Sequence, residues 1–120
     1  MVIIPFCGSA SSTVQGRVDI AARIVAAAEA AGLSREELFL DPLVLPEYTA
    51  EDASDVTLQA ARRIREELGV KVILAISNVS YGMRDRESIN VEFLKQAMDG
   101  CVDAVLVNPL CDAVMELLEQ

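Results

Sequence analysis

Histidine is absent from the chain, which removes the commonest protein zinc ligand and the usual general base near neutral pH. Histidine triads and histidine-based metal sites are excluded, and no metal site is expected. Cysteine is scarce and odd in number: Cys7, Cys101 and Cys111 lie too far apart for a CxxC clip. They read as buried small side chains in a reducing, cytoplasmic compartment, and a disulfide framework is a poor fit. Cations are outnumbered, with 10 Lys plus Arg against 19 Asp plus Glu and a formal charge of -9. Such a field repels a phosphate backbone, so no nucleic-acid partner is expected. Long apolar runs are missing too. The opening Met1-Val2-Ile3-Ile4-Pro5-Phe6 has no basic leader and is too short for a signal peptide or a membrane span. The expectation is a soluble protein with no membrane attachment.

The 120 residues are 52% hydrophobic, enough for a real core. They fall far short of the ~250 residues that a closed eightfold βα barrel typically needs. One domain covering residues 1–120 is expected. Four short apolar runs, Val2 to Phe6, Leu38 to Leu40, Val70 to Ile76 and Ala104 to Val107, each lead through a turn-rich stretch into a helical pattern. The helical stretches read as Val14 to Ala31, Asp55 to Leu68, Val91 to Met98 and Asp112 to the end. Val70 to Ile76 shows almost no polar alternation, as in a parallel strand covered on both faces. Gly32, Gly69 and Gly100 each stand just past a helix, where a left-handed cap turns the chain into the next strand.

Ser34 followed by Glu37 reads as a capping box, with Ser54 and Asn90 as N-caps of later helices. On the second helix Leu58, Ala61, Ile64 and Leu68 form an apolar stripe, with Arg62, Arg63, Glu66 and Glu67 largely opposite. The fold class is α/β: four βα units with a parallel sheet. Right-handed crossovers then bring every strand C-terminus to one edge, where α/β proteins bind ligands. That edge collects Cys7, Gly8 and Ser9, then Asp41, then Ser77, Asn78 and Ser80, then Asn108.

Asp41 precedes Pro42, which biases it toward an extended backbone at the sheet mouth. An ionised carboxylate only accepts, so it suits a ligand edge with two adjacent N–H donors, such as an aminopyrimidine; the competing reading is a loop Asp that caps nearby amides. Ser77-Asn78-Val79-Ser80 gathers small polar groups at the end of the most hydrophobic strand. Asn78 both donates and accepts, so it can follow a ligand nitrogen through a change of protonation; a turn held by Asn and Ser side chains competes with that role. Met83 to Glu87 is a charged loop, read by itself as a solvated connection. Glu47, Glu51, Asp52 and Asp55 suit a helix N-terminus and imply no metal.

Taken together, Asp41-Pro42-Leu43-Val44-Leu45-Pro46, Ser77-Asn78-Val79-Ser80-Tyr81-Gly82, Arg86-Glu87-Ser88-Ile89-Asn90 with Phe93-Leu94, and Val107-Asn108-Pro109 form a specific pattern. It resembles the pterin-binding domain of methyltetrahydrofolate-dependent corrinoid (cobalamin) methyltransferases, with dihydropteroate synthase a more distant relative. Members are complete eightfold βα barrels, and these four units resemble the C-terminal half, half of a TIM-type barrel. The resemblance implies that Asp41 binds the pterin's amino-pyrimidine edge and that Asn78, the catalytic candidate, hydrogen-bonds near the nitrogen carrying the methyl group. Arg86 falls where an arginine lies near the ligand, Ser80 is a turn support, and Asn90 is a helix cap.

The implied donor is methyltetrahydrofolate, and the implied acceptor is a cobalt(I) corrinoid on a partner protein or domain. The family's other pterin contacts, including an Asp and an Asn from earlier strands, have no counterpart here. A homodimer or an N-terminal half-barrel partner is therefore expected to complete the site. The alternatives are a non-catalytic self-associating half-barrel and a dihydropteroate-synthase-like pterin-binding protein.

Overall fold

The computed structural model describes residues 2–5 and 12–120. Four strands, β1 (Val2–Pro5), β2 (Leu38–Asp41), β3 (Lys71–Ala75) and β4 (Ala104–Leu106), alternate with helices α1 (Val14–Ala30), α2 (Ala53–Arg63), α3 (Arg86–Met98) and α4 (Asp112–Leu118). All neighbouring pairs are parallel, in the order β1-β2-β3-β4. The four parallel βα units are those the repeat predicts, and the sheet curls into half of a TIM-type barrel, as the resemblance implies. Register runs Val2 to Leu38, Phe39 to Lys71, and Ile73 to Ala104.

Alternation along the strands sorts the side chains onto two faces. Leu38, Leu40, Val72 and Leu74 are fully buried and join the core with Val25 of α1, Ile64 at the end of α2 and Leu94 of α3. The apolar stripe on α2 is buried as its spacing predicts, with Leu58, Ala61 and Ile64 in the core and Leu68 packed against it. The opposite, concave face carries Ile3, Phe39, Ile73 and Leu106 by the same alternation. Ile73 is screened at the sheet's centre, whereas Ile3 on one outer strand is 41% exposed and Leu106 on the other is 51% exposed. In a closed barrel these positions form the interior packing layers.

At the N-terminal end of the sheet, arginines fasten the connections. Arg65 grips Asp103 through Nε and Nη2, both at 3.0 Å, and its Nη1 donates to the Gly100 carbonyl at 2.6 Å. The Asp103 carboxylate also accepts from the Val72 backbone N–H at 2.9 Å, tying β3 to the start of β4. Gly69 closes the second unit with φ +65, a conformation that costs a glycine little.

Several boundaries differ from the sequence reading. α2 starts at Ala53 with Asp52 at its N-cap, so Ser54 is inside the helix. α3 starts at Arg86, not Val91, with Asp85 in the left-handed region as N-cap and the Ser88 hydroxyl donating to its carboxylate at 3.1 Å. Asn90 is therefore no cap. The first turn of α3 is solvated and carries little apolar periodicity, so hydrophobic spacing registers the helix only later. The capping-box turn does form: Arg35–Glu37 is a single 3-10 turn, with the Ser34 N–H donating to Glu37 at 3.3 Å. Cys101 is buried and Cys111 half-buried, both as free thiols. No described helix is long and apolar enough to cross a membrane.

Candidate functional site

Asp41 ends β2 and is half-buried beside a fully buried Pro42. Its Oδ1 accepts the Leu43 backbone N–H at 3.0 Å. Burial pushes the carboxyl's pKa up, and the Leu43 N–H partly offsets that rise by favouring the ionised form. The loop-cap reading of Asp41 is what the structure shows, through Oδ1, and the carboxylate is partly desolvated at the sheet mouth. The turn is strained, because Leu43 has φ +72. For a branched side chain this region costs roughly 1–2 kcal/mol.

Sequence reasoning missed the group that holds this turn. Arg17, in the first turn of α1, is 1% exposed, and its Nη1 donates to the Leu43 carbonyl at 2.9 Å, the Pro42 carbonyl at 3.3 Å and the Thr57 hydroxyl at 2.9 Å. Thr57, from α2, is likewise 1% exposed. A signal for Arg17 existed. It lies in helical register with Ala21, Val25 and Ala28, the buried stripe of α1, where an arginine must find acceptors inside the protein.

After β3 the chain enters a 3-10 turn, Ile76–Ser80, that carries the second candidate. Ser80 is fully buried, and its hydroxyl donates to the Ser77 carbonyl at 3.1 Å while accepting from Arg86 Nε at 2.9 Å. Arg86 Nη2 also donates to the Ser77 carbonyl, at 3.0 Å. Ser80 is thus the turn support that the motif implies. Arg86 reaches back from the start of α3 to clamp the turn, and its guanidinium is already engaged by protein acceptors.

Asn78 projects from this turn as an exposed residue, and its side chain makes no hydrogen bond among the described residues. Its backbone carbonyl accepts the Tyr81 N–H at 3.2 Å, which fixes the turn beneath it. Beyond it, Gly82 has φ +76, and a Cβ there would lie 3.4 Å from Cε1 of Tyr48, so the loops after β2 and β3 meet at this point. Asp41 and the Asn78 turn therefore stand at the C-terminal ends of adjacent strands. No hydrogen bond joins them among the described residues.

A shallow cavity of about 400 Å3 opens on the far side of the turn, walled by Ser77, Arg86, Asn90, Asn108 and Cys111 among others. Asn90 Oδ1 is buried there with no hydrogen-bond partner among the described residues. Asn108 is an exposed Asx turn, its Oδ1 accepting the Leu110 N–H at 3.0 Å. Of the remaining mouth residues from the sequence reading, Cys7, Gly8 and Ser9 lie outside the described residues. No group of three or more His, Cys, Asp or Glu side chains is placed to hold a metal ion among the described residues.

Among the described residues the edge thus presents the partly desolvated Asp41 carboxylate and the Asn78 amide, with both a donor and an acceptor to spare, on two clamped turns. These groups suit an uncharged heterocycle with an amine-bearing edge. Against known families, residues 7–108 match the family model described as pterin binding enzyme.

Proposed function

The chain belongs to the pterin binding enzymes, and from that premise we propose that it supplies the C-terminal half of a methyltetrahydrofolate-dependent methyltransferase site. The observation that carries this reading is the Asn78 turn. Ser80 and Arg86 are committed to holding it, leaving the exposed Asn78 amide to meet a ligand. In this reading Asp41 accepts from the amino-pyrimidine edge, and its partial burial strengthens a bond to paired N–H donors.

Asn78 binds beside the methyl-bearing nitrogen. As the carbon–nitrogen bond breaks, the electron pair stays on that nitrogen, which carries a proton taken up from solvent, and Asn78 orients and stabilises the protonated nitrogen by hydrogen bonding. A corrinoid on a partner protein or domain supplies the nucleophilic cobalt that takes the methyl group. Arg86 acts by fixing the Asn78 turn. The absent histidine is no obstacle, since the residues present position and polarise and form no covalent intermediate.

The concave face and the outer strands β1 and β4 call for a further set of βα units. In this proposal residues 1–120 act as one half-barrel domain, and an N-terminal half-barrel or a second copy of the chain supplies the remaining pterin contacts. The test is calorimetric titration of methyltetrahydrofolate into the purified chain, alone and with a complementary N-terminal half, with sedimentation to read the oligomer. Binding that disappears in Asp41→Ala and Asn78→Ala, together with methyl transfer to a cobalt(I) corrinoid, supports the proposal. Unchanged affinity in both variants removes it. Condensation of a pterin with an arylamine, without methyl transfer, moves the reading to the dihydropteroate-synthase-like alternative.

A further inference from the structure

We infer that Arg17 is a positioning residue for the Asp41 carboxylate, acting by holding Leu43 in a left-handed backbone conformation. The inference rests on Asp41 being a pterin contact, as proposed above, but its structural half stands separately. Arg17 is among the largest fully buried side chains of the protein. A guanidinium is kept in such a place only where acceptors meet it, and here they come from two other elements. Nη1 reaches the carbonyls of Pro42 and Leu43 on the loop after β2, and the Thr57 hydroxyl on α2.

Those two carbonyls flank the Leu43 amide and α-carbon, the point at which the backbone turns to φ +72. Leucine abandons that region when nothing holds it. The Pro42 carbonyl held by Arg17 and the Leu43 N–H that meets Asp41 Oδ1 belong to one peptide plane. The linkage is therefore continuous: buried Leu40 and Val44 fix the two ends of the turn, so Leu43 can leave positive φ only by flipping the Pro42–Leu43 peptide plane, and Arg17, holding the carbonyls on both sides, keeps that plane and its N–H aimed at the carboxylate. Pro42 contributes no N–H of its own, so Leu43 is the first amide after Asp41 able to serve. Burial lowers the Arg17 pKa from a value so high that the side chain stays a cation at neutral pH.

The experiment uses isotope-labelled full chain and reads the intraresidue amide-to-Hα NOE of Leu43, which is strong when φ is positive. Arg17→Met is expected to abolish that strong NOE and to weaken methyltetrahydrofolate binding by roughly tenfold or more, with the far-UV circular dichroism unchanged. Glycine adopts positive φ without strain, so adding Leu43→Gly to Arg17→Met should restore most of the affinity; Leu43→Gly alone is the control. Thr57→Val, which releases one of the three acceptors that Nη1 meets among the described residues, covers the case in which Arg17→Met does not fold. It should weaken the same NOE.

A Leu43 NOE that is unchanged in a folded Arg17→Met, or in Thr57→Val where Arg17→Met is unfolded, overturns the inference. So does an affinity loss that Leu43→Gly fails to recover. Should the parent protein bind no pterin even with the complementary N-terminal half present, while the NOE still responds to Arg17, the clamp stands and the pterin reading of Asp41 falls.

Discussion

Replacing Arg86 by Met and Ser80 by Ala, singly and together, tests whether the Asn78 turn is held by one shared bond. Ser80→Ala deletes a hydroxyl that accepts from Arg86 Nε at 2.9 Å and donates to the Ser77 carbonyl at 3.1 Å, while Arg86 Nη2 still reaches that carbonyl at 3.0 Å. Arg86→Met removes both guanidinium bonds and leaves the hydroxyl on Ser77. A hydrogen bond from a charged donor contributes about 1.5–3 kcal/mol. Ser80 is fully buried but Arg86 is exposed, so the freed guanidinium regains water and the net value falls to about 1 kcal/mol.

Each single variant should therefore lose about 1–2 kcal/mol of stability in urea. The double variant should lose about 1 kcal/mol less than the sum, because the Nε-to-hydroxyl bond is deleted only once. In a domain of this size each 1 kcal/mol corresponds to about 3–6 °C in Tm. Losses that add within about 0.3 kcal/mol would refute the shared bond. Pterin affinity should fall in both singles although Asn78 is untouched.

Burial raises the Asp41 pKa above its unfolded value, so this group's contribution to stability is greatest in acid, declines as pH rises from the unfolded to the folded pKa, and stays lower above it. Asp41→Asn, which keeps an oxygen for Leu43, should therefore raise Tm near pH ~7 relative to the parent and lose that advantage toward pH ~3, while weakening pterin binding about 10- to 100-fold; paired thermal melts across that range and calorimetry read both effects. Asp103→Ala should cost about 1 kcal/mol in low salt and less in high salt, as the two-point grip of Arg65 and the Val72 N–H acceptor are lost; pterin affinity should not change, because this cluster lies at the opposite end of the sheet. At Gly69 an added Cβ would meet nothing within 4 Å, so Gly69→Ala isolates the backbone term of φ +65 and should cost about 1 kcal/mol in urea unfolding.

The strands were legible because each is a short apolar run followed by turn residues, and β3 most clearly because it is central. Its neighbours screen even Ile73 on the concave face, and the run shows no alternation. The positions of Asp41 and Asn78 at the sheet mouth were legible, because polar residues there end or follow apolar strands: Asp41 closes β2, and Ser77 and Asn78 come just after β3. The start of α3 was hidden because Arg86 and Glu87 face water, and helical spacing of apolar residues carries no information about a solvated turn. The resemblance put Arg86 among the substrate-binding residues, and the acceptors that its Nε and Nη2 meet in the structure are Ser80 and Ser77. Residue spacing places an arginine near the site but does not say which carbonyl it reaches. Arg17 was missed because its acceptors lie 25 to 40 residues further along the chain, and only the folded loop reveals that Leu43 adopts positive φ.

The sheet's strand order has a kinetic consequence. Because β1, β2, β3 and β4 pair in the order of the chain, each pairing closes no more than one βα unit, and none waits for a distant segment. Short closures carry small entropic penalties and favour rapid folding. A chain synthesised from its N-terminus can therefore add one unit at a time. On that schedule the proposed binding groups arrive separately: the Asp41 carboxylate takes its place once β2 has docked on β1, while the Asn78 turn waits for β3 and is locked only when Arg86 follows.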